Sequence, residues 1–151
     1  MNDKVEGEPI ETRDRYKKFL SIPTRWSDND VYGHLNNVVY YELFDTTVND
    51  FLIYEGKLDI AGGKEIGVVV ESGCRFRRSI SFPDHVDCGL RVGRVGSTSV
   101  RFEIGVFRRG EKEVSAWGHF VHVFIDRVTR RPVPIPKSIR DALAKLVVHA
   151  E

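Results

Sequence analysis

The amino-acid sequence predicts an α+β fold, in which one long amphipathic helix lies against an antiparallel sheet. Two observations lead to this prediction. Hydrophobic residues recur at helical spacing over residues 36–56, and they recur at a spacing of two over most segments between residues 66 and 126. Consecutive strands joined by short turns run in opposite directions, so the sheet is expected to be antiparallel.

Composition predicts a single folded unit. The chain has 151 residues, of which 41% are hydrophobic and 30% are charged, the balance that one globular domain needs for a core and a hydrated surface. Residues 1–14 are polar and carry no pattern, so they are expected to form a flexible N-terminal tail. The domain is then expected to cover residues 15–151.

The first strand is predicted within residues 16–26, where Tyr16, Leu20, Ile22 and Trp26 alternate with polar residues. A segment of turn-forming residues follows and leads into the long helix. Asn36 or Asn37 is expected to cap the N-terminus of this helix, and Gly56 is the expected stop. The apolar residues of the helix share one face; they are Tyr40, Leu43, Phe44, Val48, Phe51 and Leu52.

Four further strands are predicted from alternating apolar residues. They cover residues 66–76, 86–92, 100–106 and 114–126, with turns at Gly96-Ser97 and Arg109-Gly110. The last strand is apolar on both faces, which is typical of a strand that is covered on both sides. Residues 134–136, Pro-Ile-Pro, then open a short amphipathic helix, whose apolar positions are Ile139, Leu143, Leu146 and Val147.

The charge balance excludes several classes of partner. Subtracting 22 acidic from 23 basic residues leaves +1, which is too little to hold nucleic acid or an anionic membrane surface.

No stretch reaches the ~20 apolar residues of a membrane span. The first residues lack the apolar run of a signal peptide, so a cytoplasmic protein is expected. Cys74 and Cys88 lack the spacing of a metal or redox site and are expected to be buried thiols.

The densest group of polar residues lies between the first strand and the long helix. Backbone N–H groups at a helix N-terminus carry partial positive charge and can stabilise the oxyanion of a carbonyl under attack. A carboxylate just upstream can attack that carbonyl or deprotonate a water beside it. The alternative is structural, with aspartates that form turns and an asparagine cap. The group comprises Asp28, Asn29, Asp30, Tyr32, Gly33, His34, Asn36 and Asn37.

The same segment resembles a family signature. Residues 28–37 read D-x-D-x-x-G-H-L-N-N, with Arg25-Trp26 before them and Tyr40 after them. This pattern is similar to the signature of hotdog-fold acyl-CoA thioesterases of the 4-hydroxybenzoyl-CoA thioesterase type, in the D-x-D-x-x-G-H-x-N-N subgroup. The resemblance extends over most of the chain, including residues 70–76 and 133–136. It implies a hotdog fold, in which a curled five-stranded antiparallel sheet wraps the long helix and a short C-terminal helix follows.

The resemblance also implies roles for individual residues. Asp30 matches the family's nucleophile or general base, and His34 matches a histidine with a catalytic role in the subgroup. The similar plant acyl-carrier-protein thioesterases carry an asparagine where this chain has Tyr32, so their Asp-Asn-His arrangement is not reproduced. Asp28 is expected to hold the turn. The implied oxyanion and substrate-binding positions are Gly33, Asn36, Asn37, Tyr40, Gly67 and Glu71, with a core role for Tyr40 and a satisfied strand carboxylate for Glu71 as alternatives.

A basic run, Arg75, Arg77 and Arg78, gives candidates for binding the phosphates of coenzyme A. Arginine forks suit phosphate groups, and the alternative is a hydrated strand end. No metal site is expected, because the histidines have no metal-binding spacing. Two of them, His119 and His122, are expected on opposite faces of the last strand.

Together these observations favour one function and leave two alternatives. The expected reaction is hydrolysis of the thioester of a fatty or aryl acyl-CoA, with no metal or redox cofactor, since coenzyme A is part of the substrate. The alternatives are a hotdog hydratase or dehydratase that acts on enoyl or hydroxyacyl thioesters, and a non-catalytic acyl-CoA-binding protein. The resemblance implies a homodimer or a homotetramer built as a dimer of dimers. Neither nucleic acid nor a membrane is expected as a partner.

Overall fold

In the computed structural model, which describes residues 10–148, one sheet of five antiparallel strands curls around a long helix. The strands lie in the order β1-β3-β4-β5-β2. This is the hotdog fold, and it confirms the predicted fold class. The elements are β1 (Lys18–Pro23), α1 (Asn37–Tyr54), β2 (Glu65–Phe76), β3 (His85–Val95), β4 (Ser99–Arg108), β5 (Ala116–Asp126) and α2 (Lys137–Ala144).

Helix α1 forms where the helical spacing predicts it. Asn36 is the cap, since its side-chain oxygen accepts a hydrogen bond from the N–H of Val38 at 3.2 Å. The apolar residues of α1 are buried against the inner face of the sheet, meaning the face that looks toward α1. That face is built from alternate residues of β3, β4 and β5, which include Leu90, Phe102 and Phe120. Burial of these two apolar surfaces against each other forms the core.

Helix α2 covers one end of this core. It follows Pro136, as predicted, and buries Ile139 and Leu143. The chain after α2 is also bound to the sheet, because the N–H of Val92 on β3 donates to the carbonyl of Leu146 at 2.9 Å. No helix among residues 10–148 is long and apolar enough to cross a membrane.

The first strand is shorter than the sequence predicts. β1 ends at Pro23, and Trp26 is 75% exposed at the start of a short 3-10 turn, Trp26–Asp28. The cause is Asp28, whose buried carboxylate accepts the backbone N–H of Arg25 at 2.7 Å and its guanidinium at 2.8 Å. These bonds wind the chain into a turn, so the alternating pattern does not continue as a strand through residue 26. The structural role predicted for Asp28 is confirmed.

The N-terminal segment lies partly on the sheet. Of the predicted tail, residues 1–9 lie outside the described residues, whereas Glu11 and Arg13 contact the outer face, opposite α1. Arg13 forms an ion pair with Asp87 at 2.8 Å and lies over the ring of Phe107 at 5.1 Å. Glu11 pairs with Arg91 at 2.9 Å. The alternating charges of this segment meet opposite charges on β3, and this holds residues 10–14 in place.

This outer-face network predicts a pH dependence of stability. Burial alone would raise the pKa of the Glu103 carboxyl, but hydrogen bonds from Arg91 at 2.8 Å and Arg101 at 3.0 Å outweigh it and lower that pKa. A carboxyl with a lowered pKa in the folded state stabilises the fold above its unfolded pKa of about 4.3, and this contribution is lost as pH falls through the folded pKa.

We therefore expect the free energy of unfolding to fall as the pH drops below about 4.3, and to fall less steeply in Glu103→Gln. Urea unfolding of both proteins at a series of pH values between neutral and acidic measures this. An unchanged acid slope in Glu103→Gln would contradict the role of this carboxyl.

Candidate functional site

A wide cleft opens beside the N-terminus of α1. It lies between the loop that follows β1 and the chain just after β2, and its volume is about 1040 Å³. The residues around it belong to the polar segment that the sequence analysis singled out and to the end of β2. They are Asn29, Asp30, Val31, Tyr32, His34, Leu35, Asn36, Asn37, Tyr40, Phe76, Arg78 and Ser79.

The loop forms because it closes hydrogen bonds on itself. The N–H of Asp30 donates to the carbonyl of His34 at 2.9 Å, and the N–H of Gly33 donates to the carbonyl of Asp30 at 3.1 Å. Gly33 has φ +87°, a left-handed conformation that a residue with a Cβ rarely adopts. The Asp30 Oδ1 atom accepts the N–H of Tyr32 at 2.8 Å. Asp30 and His34 are therefore held at the two ends of one tight turn.

Neighbouring backbone fixes this turn to the rest of the fold. The N–H of Leu35 donates to the carbonyl of Ile80 at 2.7 Å, and the hydroxyl of Ser81 donates to the carbonyl of Gly33 at 2.8 Å. The side-chain oxygen of Asn29 accepts the N–H of Phe82 at 3.0 Å. The chain between β2 and β3 thus positions the turn from one side.

Asp30 and His34 are side by side. The His34 Nδ1 atom lies 3.5 Å from Asp30 Oδ2 and 3.2 Å from the carbonyl oxygen of Leu35. A carbonyl oxygen only accepts, so the second contact is a hydrogen bond when Nδ1 carries the proton. His34 is 42% exposed and Asp30 is 20% exposed at their side chains, so both can reach a molecule in the cleft.

The first turn of α1 adds backbone donors. Asn36 supplies the cap, and Asn37 is the first helical residue, whose N–H has no acceptor within the helix. This end of the helix carries partial positive charge. Asp30, with a carboxylate, and Asn37, with a free helix-end donor, line the same cleft. The structure thus brings together the two chemical features on which the sequence hypothesis depends.

Two aromatic residues, Tyr40 and Phe76, line the cleft. The ring of Tyr40 meets the ring of Phe76 edge to face, with centroids 4.9 Å apart. Tyr40 is 3% exposed, and burial raises the pKa of its hydroxyl to about 12, so it stays protonated at neutral pH. Tyr40 belongs to the core, as the alternative predicted, and it also lines the cleft, so its contact with substrate stays a prediction.

The three candidate arginines differ in their surroundings. Arg78 lines the cleft, with a side chain that is 43% exposed and pairs with Glu113 at 3.1 Å. Arg77 is 13% exposed and pairs with the same carboxylate at 2.9 Å, away from the cleft. Arg75 lines a cavity of about 490 Å³ on the outer face. Arg75, on β2, thus lies apart from the other two, whereas Arg77 and Arg78 follow β2 and meet at the same Glu113 oxygen, and of the three only Arg78 lines the cleft.

Gly67 and Glu71 also lie apart from the cleft. Gly67 is within β2, opposite Phe124, and not in a loop as the resemblance implied. Glu71 is on the outer face, where its carboxylate lies 3.0 Å from His119 Nε2. The alternative of a satisfied strand carboxylate therefore describes Glu71 within this chain. His119 is on the outer face and His122 on the inner face, which confirms the prediction for that pair.

Phe76 and Ser79 line the cleft although they lie far along the chain from the polar segment. The sequence pattern predicts Phe76 on the apolar face of a strand and indicates no role for Ser79. The sequence carries a signal for Phe76, because it is the last apolar residue before Arg77 and Arg78 and so stands at the end of its strand. Nothing in the local sequence marks Ser79; only the return of the chain past α1 places it at the cleft.

Comparisons with known proteins agree on the family. A family model described as the thioesterase-like superfamily matches residues 24–143. The PA5185 protein of Pseudomonas aeruginosa strain PAO1 is 50% identical with a TM-score of 0.92, and the match covers 95% of this chain and 100% of that chain. The PA2801 protein of Pseudomonas aeruginosa, a thioesterase candidate, is 29% identical with a TM-score of 0.79, and the match covers 85% of this chain and 98% of that chain.

A third structure carries a more specific name. BH1999, a gentisyl-coenzyme A thioesterase, is 26% identical with a TM-score of 0.74, and the match covers 83% of this chain and 99% of that chain. No sequence among the curated proteins matches this chain.

Proposed function

Because the chain belongs to the thioesterase-like superfamily and is a thioester hydrolase, we propose that its substrate is a fatty or aryl acyl-CoA, which it cleaves to the free acid and coenzyme A. One observation carries the proposal: the Asp30 carboxylate and the N-terminus of α1 line one cleft. BH1999, a relative with 26% identity, is named for an acyl-CoA substrate, which supports the choice of coenzyme A.

In the proposed reaction, Asp30 Oδ2 takes a proton from a water, and the oxygen of that water adds to the thioester carbonyl carbon. The carbonyl oxygen then becomes an oxyanion, which the Asn37 N–H at the start of α1 stabilises. The carbon–sulfur bond breaks, and coenzyme A leaves as a thiolate that takes up the proton. If Asp30 adds to the carbonyl directly, a mixed anhydride forms and water cleaves it, with the same products.

His34 and Arg78 complete the proposed site. When Nδ1 of a neutral His34 donates to the Leu35 carbonyl, Nε2 is an acceptor, and because His34 lines the cleft it can orient the water or the substrate there. Arg78 at the rim offers a guanidinium to one phosphate of coenzyme A. Because the Asp30 carboxylate can activate the water and hydrolysis transfers no electrons, we expect the reaction to need no metal or redox cofactor.

The function is tested with the wild-type protein and a panel of fatty and aryl acyl-CoAs. Free coenzyme A is measured with a thiol reagent, and the absorbance of enoyl thioesters is followed in parallel. We expect thiol release from at least one substrate, at a rate that a metal chelator leaves unchanged. No thiol release from any substrate would contradict hydrolysis, and a change in enoyl absorbance without thiol release would identify a hydratase.

A homodimer is the proposed working form. The sheet has two edges, β1 and β2. β1 carries Lys18 and Pro23, which discourage pairing with another chain. β2 is 12 residues long and leaves Val69 and Val70 45% and 59% exposed. Pairing between the β2 strands of two copies would cover these valines. It would also join the two sheets into one continuous sheet that carries both clefts.

We expect Val70→Lys to convert the dimer to a monomer. Pairing of the β2 strands would bury the charged ammonium group of this lysine or bring it close to the same lysine of the second copy, and both are unfavourable. Light scattering coupled to size-exclusion chromatography measures the mass. Val128→Lys, at a position that is 86% exposed, is the matched control and should leave the mass unchanged. A monomeric wild-type protein, or a dimeric Val70→Lys protein, would contradict pairing at β2.

A further inference from the structure

The loop that leads from β1 to the cleft carries an exposed tryptophan. Trp26 opens the 3-10 turn after β1, and it is 75% exposed. Its ring meets the ring of Phe82 edge to face, with centroids 5.9 Å apart and an angle of 86° between the ring planes. A contact of this kind occupies at most one face of the indole, so the other face is open to a flat molecule.

Two hydrogen bonds hold this aromatic pair beside the cleft. The N–H of Asn29 donates to the carbonyl of Trp26 at 3.3 Å, and the N–H of Phe82 donates to the side-chain oxygen of Asn29 at 3.0 Å. Asn29 itself lines the cleft. Trp26 precedes Asp30 by four residues, and such a stretch spans at most about 14 Å even when it is extended. The indole is therefore close to the carboxylate of the proposed reaction.

The charges next to Trp26 favour a neutral partner. The guanidinium of Arg25 lies 2.8 Å from the Asp28 carboxylate and 3.2 Å from the Glu42 carboxylate, so one positive charge meets two negative charges. This excess of negative charge disfavours a phosphate group at the indole. A nucleotide base is uncharged at neutral pH, and bases stack on exposed aromatic side chains.

The proposed dimer leaves this position open. Its two copies pair along β2, whereas Trp26 follows β1, the strand at the other edge of the sheet. The N–H of Thr24 donates to the carbonyl of Asp84 at 3.1 Å, so the chain that enters the turn stays beside the start of β3. The indole is therefore exposed in the dimer as well.

Given the proposed function, on which this inference rests, we propose that Trp26 is a specificity-determining residue that stacks on the adenine ring of coenzyme A. The thioester would lie at Asp30. The pantetheine arm and the diphosphate form a flexible chain that is longer than the distance to Trp26, so they can connect the two positions. Stacking strengthens the binding of a substrate that carries a nucleotide. Trp26 therefore selects an acyl-CoA over the same acyl group on pantetheine or on a carrier protein.

The test compares two thioesters of the same acid, the best acyl-CoA of the panel and the acyl pantetheine, which lacks the nucleotide. We expect Trp26→Ala to raise KM for the acyl-CoA by about fivefold or more, the loss of one stacking contact. Its kcat should not change, because stacking far from the reacting carbonyl is the same in the ground state and the transition state. KM for the acyl pantetheine should keep its wild-type value, whereas a merely structural role of Trp26 would change both substrates.

Two further variants make this comparison specific. Trp26→Phe keeps an aromatic face and should retain part of the preference for the acyl-CoA. Tyr54→Ala is the matched control, since Tyr54 is 68% exposed at the other end of α1 and should leave both KM values unchanged. Equal effects of Trp26→Ala on the two substrates, or no effect, would overturn the proposal. A changed mass of Trp26→Ala in light scattering would also overturn it, because Trp26 would then be a contact between copies.

Fluorescence separates this inference from the proposed function. The chain has two tryptophans, so in Trp117→Phe only Trp26 emits indole fluorescence. Coenzyme A should quench this emission by stacking, and pantetheine should not. Thiol release without quenching would leave the proposed function intact and overturn the role of Trp26. Quenching without thiol release from any substrate would overturn hydrolysis and support the position of the adenine ring.

Discussion

Replacing Asp30 with asparagine is expected to lower kcat for thioester hydrolysis by about 10²–10⁴-fold, the contribution of a positioned general base. The amide of asparagine neither takes a proton from water nor attacks a carbonyl at neutral pH. The substitution keeps a side-chain oxygen in place of Oδ1, which accepts the N–H of Tyr32. The turn between Asp30 and His34 should therefore survive, so the loss reports on chemistry and not on folding.

Thiol release from the best substrate of the wild-type protein measures the effect. Asp141→Asn makes the same chemical change on the exposed surface of α2, where Asp141 pairs only with Lys137 among the described residues. This control should keep the wild-type rate, and both variants should keep the wild-type Tm. An Asp30→Asn protein that is as active as the control would remove Asp30 from the mechanism.

Replacing Phe44 with alanine is expected to cost about 3–5 kcal/mol of the free energy of unfolding, as for other large aromatic residues in a core. Phe44 is fully buried at the centre of α1, and its ring meets Phe120 edge to face with centroids 5.8 Å apart. Gly118 on β5 makes room for this ring, since a Cβ there would lie 2.6 Å from it. Truncation leaves a cavity that helix and sheet cannot close without losing other contacts.

Urea unfolding with a linear extrapolation measures this loss. Val128→Ala is the control, because Val128 is 86% exposed in a turn and its truncation should change stability by no more than about 0.5 kcal/mol. If Phe44→Ala were as stable as this control, the packing of α1 against β5 would not be a main source of stability.

Much of the fold was predictable because its signals are local. The spacing of apolar residues in α1 and the asparagine that caps it act within a few residues of each other, and both predictions are confirmed. Alternation predicts the positions of β2 to β5, and the proline-rich segment predicts the start of α2, each to within a few residues. The predicted end of β1 is wrong, because the turn depends on the side chain of Asp28, which accepts hydrogen bonds from the backbone and the guanidinium of Arg25, and not on hydrophobic spacing.

The α+β order, the long capped helix and the polar segment with Asp30, His34 and Asn37 follow from the sequence, since neighbours along the chain create these features. Which distant residues join that segment depends on the tertiary fold. It brought Phe76 and Arg78 to the cleft, and it placed Gly67 and Glu71 elsewhere. The reason is that strand pairing and the crossing of α1 set the distances between residues far apart in the chain, and no local pattern encodes those distances.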